Sequence, residues 1–358
     1  MTAHSVPHSD GETGAGETGP SGKEPTGKEL RALYQLMVAV RHLDTSAVAW
    51  QRQGLIPGYA PELGQEAAQV GSGYAVDLSR DFVFPTYREM GVARAMGVDM
   101  VGYMSTHKAS WHGGLYDPVK SRLAPIQAVV AGSVLHAVGW AHGQKLSGLP
   151  AEKQGVAVSY FGDGASSQGD VHEAMNFAAV MKAPVVFFTQ NNGWAISVPT
   201  ERQVAGGSVA ARAAGYGIPA LQIDGNDVVA VVRAMRTALA HCRAGYGPMV
   251  IEAMTYRRGP HSTSDDPGRY RTLDSESADA GTDPILMLRD RLLAEGLADE
   301  AFFAAALESA KVEEEQVRAG VGALAARPGS EMFDFVFQES TPALTGQARR
   351  WREESEHV

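Results

Sequence analysis

Apolar and polar positions follow two rhythms along this chain. From Lys28 onward Leu30, Leu33, Tyr34, Met37 and Val38, then Val40 and Leu43, recur at helical spacing, which predicts a helix to about Gln53. Gly54–Gly64, with two prolines, reads as a loop. The middle of the chain changes rhythm: short apolar runs at Val156–Phe161, Val185–Thr189, Leu221–Ile223 and Met249–Met254 each give way to turn residues. Amphipathic stretches near Gln168–Val180 and Val228–Arg243 lie between them. Runs that are apolar on both faces and alternate with helices predict an α/β fold, an open, mostly parallel sheet covered by helices on both faces. After Asp283 the pattern is helical to about Ala326, with Pro328 a break. A short element at Phe333, Phe335, Val336 and Phe337 then precedes a charged tail. Residues 1–27 carry no aromatic side chain and are rich in Gly, Ser, Thr, Pro and Glu, the composition of a disordered tail. The chain has no internal repeat.

Composition narrows the function classes. With 358 residues and 44% hydrophobic content the chain can build a large core. A net charge of −10, from 31 Lys and Arg against 41 Asp and Glu, argues against nucleic acid or an anionic membrane surface as a partner. The longest apolar stretches, such as Val129–Ala141, fall short of the ~18 residues of a membrane span. Cys242 is the single cysteine, so an intrachain disulfide and a Cys-based zinc site are excluded. That suits a reducing compartment, and the start of the chain lacks the layout of a secretory signal, so the expected location is the cytoplasm.

Candidate chemistry sits where two apolar runs end. Gly162-Asp163-Gly164-Ala165 follows the first, and Asn192, within Gln190-Asn191-Asn192-Gly193-Trp194, comes 29 residues after Asp163. One helix and one return strand consume roughly 30 residues, so Asp163 and Asn192 are expected at the carboxyl ends of neighbouring parallel strands, where such sheets bind ligands. Glycines flanking Asp163 allow close backbone approach, and a helix starting near Ala165 would aim N–H groups at an anion. A carboxylate beside an anion site needs a cation between them, and one carboxylate plus an amide oxygen is what Mg²⁺ takes from a protein when phosphate and water fill its other positions. A backbone carbonyl from the Asn192–Trp194 turn offers one more ligand. The residues therefore point to a magnesium-bridged diphosphate. By itself Gly-Asp-Gly is more often a tight turn with the Asp as a helix N-cap. No P-loop is present, and Ser166-Ser167 stand where a dinucleotide fingerprint needs its third glycine.

Gly-Asp-Gly, a span of this length and a closing Asn-Asn resemble the thiamine-diphosphate signature. The surrounding sequence resembles the alpha subunit of the thiamine-dependent 2-oxo acid dehydrogenases, the decarboxylating component of the pyruvate and branched-chain complexes. The likeness runs from about Leu30 to about Leu297. It is carried also by Gly64-Gln65-Glu66-Ala67, Tyr87-Arg88-Glu89, Asn176-Phe177-Ala178 after Glu173, and Gly259-Pro260-His261-Ser262-Thr263-Ser264-Asp265-Asp266 with Tyr270-Arg271. It implies a thiamine-diphosphate-binding domain over 28–280, a helical region over 281–358 packed on it, and helical extensions at both ends. It also implies thiamine diphosphate and Mg²⁺ as cofactors. Asp163, Asn192 and the Trp194 carbonyl would be the metal ligands. Gly162, Asp163, Gly164, Ala165, Asn192 and Trp194 would line the cofactor, with Tyr87 and Arg88 on its diphosphate. His261, on a mobile loop, would be catalytic and also reach the cofactor. Tyr59 matches a pocket-lining aromatic residue for the substrate. Ser262 corresponds to a regulatory phosphorylation site in eukaryotic relatives.

The same resemblance implies partners: a beta subunit in an alpha2beta2 heterotetramer, which supplies the glutamate facing the aminopyrimidine ring, and a lipoylated acyltransferase core that accepts the acyl group. The substrate is expected to be a small 2-oxo acid. Segments Asn192–Pro199 and His261–Asp266 look closer to branched-chain subunits, which favours 3-methyl-2-oxobutanoate over pyruvate, with acetoin a distant third. Three departures stand out. Gln190 replaces a phosphate-binding arginine of some branched-chain relatives, Ala131-Gly132-Ser133 differs from a potassium-binding Thr-Gln region, and Trp194 replaces Tyr or Phe. A non-catalytic magnesium-diphosphate-binding subunit is the alternative from another class. An NAD enzyme is disfavoured, because the second strand ends in Gln190-Asn191-Asn192 where an acidic residue is needed for the ribose. The apolar helix around Ile285–Leu293 is expected to serve subunit contacts or core packing.

Overall fold

The computed structural model describes residues 22–109, 113–272 and 283–355. Helix α1 (Gly27–Arg52) opens on a capping box: the Glu29 N–H donates to the Thr26 hydroxyl while the Glu29 carboxylate accepts from the Thr26 N–H. Its inward stripe is Leu30, Leu33, Tyr34, Met37, Val40, Leu43, Ala47 and Trp50, extending the expected stripe by two turns and leaving Val38 at its margin. Residues 22–26, the described end of the expected tail, run without regular structure along the helix Val228–Arg243, where Gly22 donates to Thr237 and Arg236 donates to the Lys23 carbonyl. The rest of that tail lies outside the described residues.

After α2 (Glu66–Tyr74) the chain forms β1 (Phe82–Phe84), the short helices α3 (Met90–Ala95), α4 (Met100–Met104) and α5 (Pro118–Ser121), and then α6 (Val134–Leu146). Strand β2 (Ala157–Gly162), helix α7 (Gly169–Met181) and strand β3 (Val185–Asn191) make the crossover unit predicted from spacing. A small hairpin, β4 (Trp194–Ala195) with β5 (Val198–Pro199), is followed by α8 (Val209–Ala213), β6 (Ala220–Asp224), α9 (Val228–Arg243) and β7 (Met249–Met254). Five parallel strands form the main sheet in the order β1-β2-β3-β7-β6. Strand β1 escaped the sequence reading because three residues carry no periodicity.

Each strand feeds two cores, since successive side chains point to opposite faces. Val158, Tyr160, Val186, Phe188 and Ile251 face α1, α2 and α9. Ala157, Phe161, Val185, Phe187 and Val250 face α6 and α7. Every side chain in this alternation is buried, which explains why the runs read as continuous hydrophobic stretches; each large one contributes roughly 1.5–3 kcal/mol. Helices α10 (Pro284–Ala294) and α11 (Glu300–Ala323) close over α1, with Tyr34 stacked edge-on against Phe303 at 4.9 Å and the Trp50 indole donating to Glu314 at 3.0 Å. Within α10, Leu288 and Leu292 fill the chain's own core while Leu286 and Leu293 remain exposed.

The C-terminal end differs from expectation. Helix α11 stops at Ala323 because Leu324 turns extended, and the charged tail folds as α12 (Pro342–Ser355). Only Leu344 and Ala348 of α12 are buried, too few to announce a helix by periodicity. The Phe333–Phe337 stretch is a helical turn ending at Phe333, and Phe335, Val336 and Phe337 are exposed.

Candidate cofactor and metal site

The tips of β2 and β3 are neighbours, because Gly162 pairs in register with Gln190. Asp163 and Asn192 follow those tips directly, so the crossover geometry brings the two together as the spacing required. Asp163 is 1% exposed, and one carboxylate oxygen accepts from the Thr200 hydroxyl at 2.6 Å. Burial pushes its carboxyl above the ordinary value against the pull of Thr200, the Asn192 N–H and the charge of Arg257. The chain alone therefore undersupports the charged form, and a cation beside Asp163 would complete it. Asn192 Oδ1 accepts from the Trp194 N–H at 3.3 Å, and its amide donates to Gln65 Oε1 at 3.2 Å.

The hairpin after β3 carries both remaining parts. Gly193 adopts φ +85°, and the Thr200 N–H returns to the Gly193 carbonyl at 3.0 Å, folding Thr200 onto Asp163. The Trp194 carbonyl accepts from Arg257 at 3.2 Å, and the same guanidinium donates to the Ile196 carbonyl at 2.6 Å and meets the Tyr270 hydroxyl at 3.1 Å. A carbonyl has two lone pairs, so this bond leaves Trp194 able to ligate. Below the hairpin, buried Glu252 accepts from the Asn191 amide at 2.9 Å and from the backbone N–H groups that open α8.

Two local expectations change. The helix after Asp163 begins at Gly169, not near Ala165. Ala165–Ser167 form one tighter turn, whose Ser166 and Ser167 N–H groups bond back to the Asp163 and Gly164 carbonyls, so the N-terminal end of α7 is set back from the strand tip. The two glycines also have different reasons. A Cβ on Gly164 would meet Ala195 at 2.8 Å, so the hairpin requires it; a Cβ on Gly162 would find only the Gln190 carbonyl at 3.8 Å, leaving open room at the strand tip.

Arg88 is buried and donates to the Pro61 carbonyl and, at 2.7 Å, to the His261 carbonyl. It also stands 3.2 Å from His261 Nδ1, and the Tyr87 ring sits edge-on to the imidazole at 6.2 Å. Arg88, Tyr87 and His261, each expected at the cofactor, lie together, and the Arg88 fork is engaged by two carbonyls. Burial and the charges of Arg88 and Arg257 push His261 down to about 4. The loop of His261 is latched to Tyr59: the Thr263 N–H donates to the Tyr59 carbonyl at 2.8 Å, the Tyr59 N–H donates to the Thr263 hydroxyl at 3.1 Å, and the Arg258 N–H donates to the Leu63 carbonyl at 3.1 Å. The Tyr59 hydroxyl donates to buried Asp44 at 2.8 Å, and burial pushes Asp44 up to about 6.

The residues fit a magnesium diphosphate. Positive charge is concentrated, since burial together with Arg271 and Arg88 pushes Arg257 down to about 10. Among the described residues, buried polar atoms without a partner include Gln65 Nε2, Gln190 Oε1, Arg257 Nε and Arg271 Nε and Nη2. Gln190 donates to Glu89 at 2.8 Å, which commits its amide and leaves its oxygen buried without a partner among the described residues. No three His, Cys, Asp or Glu side chains converge among the described residues, so a metal would take a single carboxylate, as a hard cation sharing phosphate and water does. Sequence reasoning missed Thr200, Gln65, Arg257 and Asp44 as site residues. Gly64-Gln65-Glu66 was a visible motif without a role, whereas Thr200 and Arg257 join the site only through the fold of the hairpin and the strand beyond it.

The chain is similar to proteins of one family. A family model described as dehydrogenase E1 component matches residues 34–321. The 3-methyl-2-oxobutanoate dehydrogenase subunit alpha of Mycobacterium tuberculosis is 43% identical over 325 residues, 91% of this chain and 87% of that protein. The pyruvate dehydrogenase E1 component subunit alpha of Staphylococcus epidermidis is 36% identical over 326 residues, 91% of this chain and 86% of that protein. Its counterpart in Staphylococcus aureus is 38% identical over 286 residues, 80% and 76% of the two chains. Among the described residues no helix is long and apolar enough to cross a membrane.

Proposed function

The chain belongs to the dehydrogenase E1 component family, and on that premise we propose that it is the alpha subunit of a 2-oxo acid dehydrogenase acting on branched-chain substrates such as 3-methyl-2-oxobutanoate. It is an oxidoreductase that works with thiamine diphosphate held through Mg²⁺, beside a beta subunit in an alpha2beta2 assembly, and delivers the acyl group to a lipoylated acyltransferase core. The observation that carries this reading is the buried Asp163 carboxylate at the tip of β2, facing Asn192 at the tip of β3, with unpartnered donors around it.

Asp163, Asn192 and the Trp194 carbonyl would hold Mg²⁺, and the open space over Gly162 would admit the diphosphate. Arg88, Arg257 and Arg271 would balance its charge. Thiamine diphosphate supplies the decarboxylation chemistry when bound. His261 contributes a defined proton. Arginine only donates, so its contact with Nδ1 makes that nitrogen the acceptor and places the proton on Nε2 of a neutral ring. An Nε2–H donor on a loop at the site suits transfer to the lipoyl group. Tyr59 supports an apolar substrate, since Asp44 takes its hydroxyl and its ring meets the uncharged His107 edge-on at 5.0 Å.

Co-expression with a candidate beta subunit, followed by an artificial-acceptor assay, tests the reading. Greater kcat/KM with 3-methyl-2-oxobutanoate than with pyruvate is expected. A preference for pyruvate would assign the chain to the other branch of the family, and loss of neither activity on omitting thiamine diphosphate would overturn the site.

A further inference from the structure

We propose that Gln65 is a positioning residue for the metal ligand Asn192 and donates directly to an oxygen of the bound diphosphate; this rests on the function proposed above. Orientation begins at a backbone donor. The Trp194 N–H can only donate, and it points at Asn192 Oδ1 at 3.3 Å, which fixes the oxygen end of that carboxamide. The other end, Nδ2, is then a donor, and it meets Gln65 Oε1 at 3.2 Å. Gln65 must therefore turn its Nε2 away from Asn192, and there it is buried without a partner among the described residues.

The side chain is held in place. Gln65 is 1% exposed and caps the start of α2, where its N–H donates to the Glu62 carbonyl at 2.9 Å and its carbonyl accepts from Gln69 at 3.1 Å. Glu66 next to it is fixed by Arg41 and by the Gly64 N–H. A buried amide N–H₂ without an acceptor is costly, and an anionic oxygen at the strand tips removes the cost. Glutamine alone combines the two duties on one side chain: it accepts from Asn192 and donates onward. Glutamate keeps the first and loses the second, and leucine loses both.

The test is calorimetric titration of thiamine diphosphate with Mg²⁺ into the reconstituted alpha–beta complex, for wild type, Gln65→Glu and Gln65→Leu. The dissociation constant is expected to rise about tenfold or more in both variants, because a hydrogen bond to a charged group is lost. Mn²⁺ in place of Mg²⁺ separates the two duties: its spin-resonance spectrum in the loaded complex should change in Gln65→Leu, where Asn192 is released, and persist in Gln65→Glu. Thermal unfolding of the cofactor-free complex reads folding independently, and the isosteric Gln65→Glu carries the test if leucine destabilises. Unchanged affinity in Gln65→Glu overturns the direct contact, and an unchanged spectrum in Gln65→Leu overturns the positioning role. A wild-type complex that takes up no cofactor instead overturns the functional reading beneath both.

Discussion

Thr200 donates its hydroxyl to the Asp163 carboxylate across 2.6 Å, though the two residues lie on different sides of a crossover and a hairpin. Among the described residues it is the only side-chain hydrogen bond to the buried acid. Thr200→Val keeps the shape and removes the donor, so Mg²⁺-dependent thiamine diphosphate affinity in the reconstituted complex should fall about 10-fold or more. Titration calorimetry checks this, and affinity equal to wild type would remove Thr200 from the site.

Asp163→Ala is expected to abolish Mg²⁺-dependent cofactor binding while far-ultraviolet circular dichroism stays that of wild type. Asp163 lies beyond the last residue of β2 and its side chain packs no core, so fold and binding separate cleanly here. Retained binding would mean that the metal, if any, sits elsewhere.

The loop of His261 should respond to acid. Packed, His261 has been pushed down to about 4, against 6.5 for a free imidazole. Between those values the open loop binds a proton that the packed loop refuses, so order is complete above pH 6.5 and is lost as pH falls toward 4. Asp265 does not blur this window, because bonds from Tyr270 and the His261 N–H outweigh burial and hold its carboxyl below its ordinary value. Hydrogen exchange over residues 259–271 should rise across that range in wild type and stay flat in His261→Gln. Identical profiles would contradict the assignment of a neutral histidine.

Tyr59→Phe deletes the hydroxyl that donates to Asp44 and leaves a buried carboxyl with the Glu62 N–H as its remaining donor. A loss of about 1–3 kcal/mol in denaturant unfolding is expected, greater at pH 8 than at pH 5, where Asp44 takes up a proton more readily. A neutral substitution at both pH values would show that the bond carries no weight.

Much of the site was legible because the geometry of a parallel crossover is repetitive. Residues 163 and 192 had to meet once a helix and a strand were placed between them, and α7 and β3 occupy that interval. Where the reading failed, the cause was contact across long separations. Thr200 reaches Asp163 only because Gly193 turns the chain back, and Arg257 reaches Trp194 from beyond β7. The helix start expected at Ala165 was displaced to Gly169 by a turn whose Ser166 hydroxyl bonds back to the Asp163 carbonyl, a local competition that periodicity cannot register. Helix α12 lies inside the helical region that the resemblance implied over 281–358, but periodicity read it only as a charged tail because it buries only two side chains.

Two hydrogen bonds join Thr263 to Tyr59, one between backbones and one from the Tyr59 N–H to the Thr263 hydroxyl. The strip proposed to shape the acyl pocket and the strip proposed to meet the lipoyl group are thereby tied edge to edge. On that proposal, a backbone shift that resizes the pocket side is passed directly to the loop that carries His261.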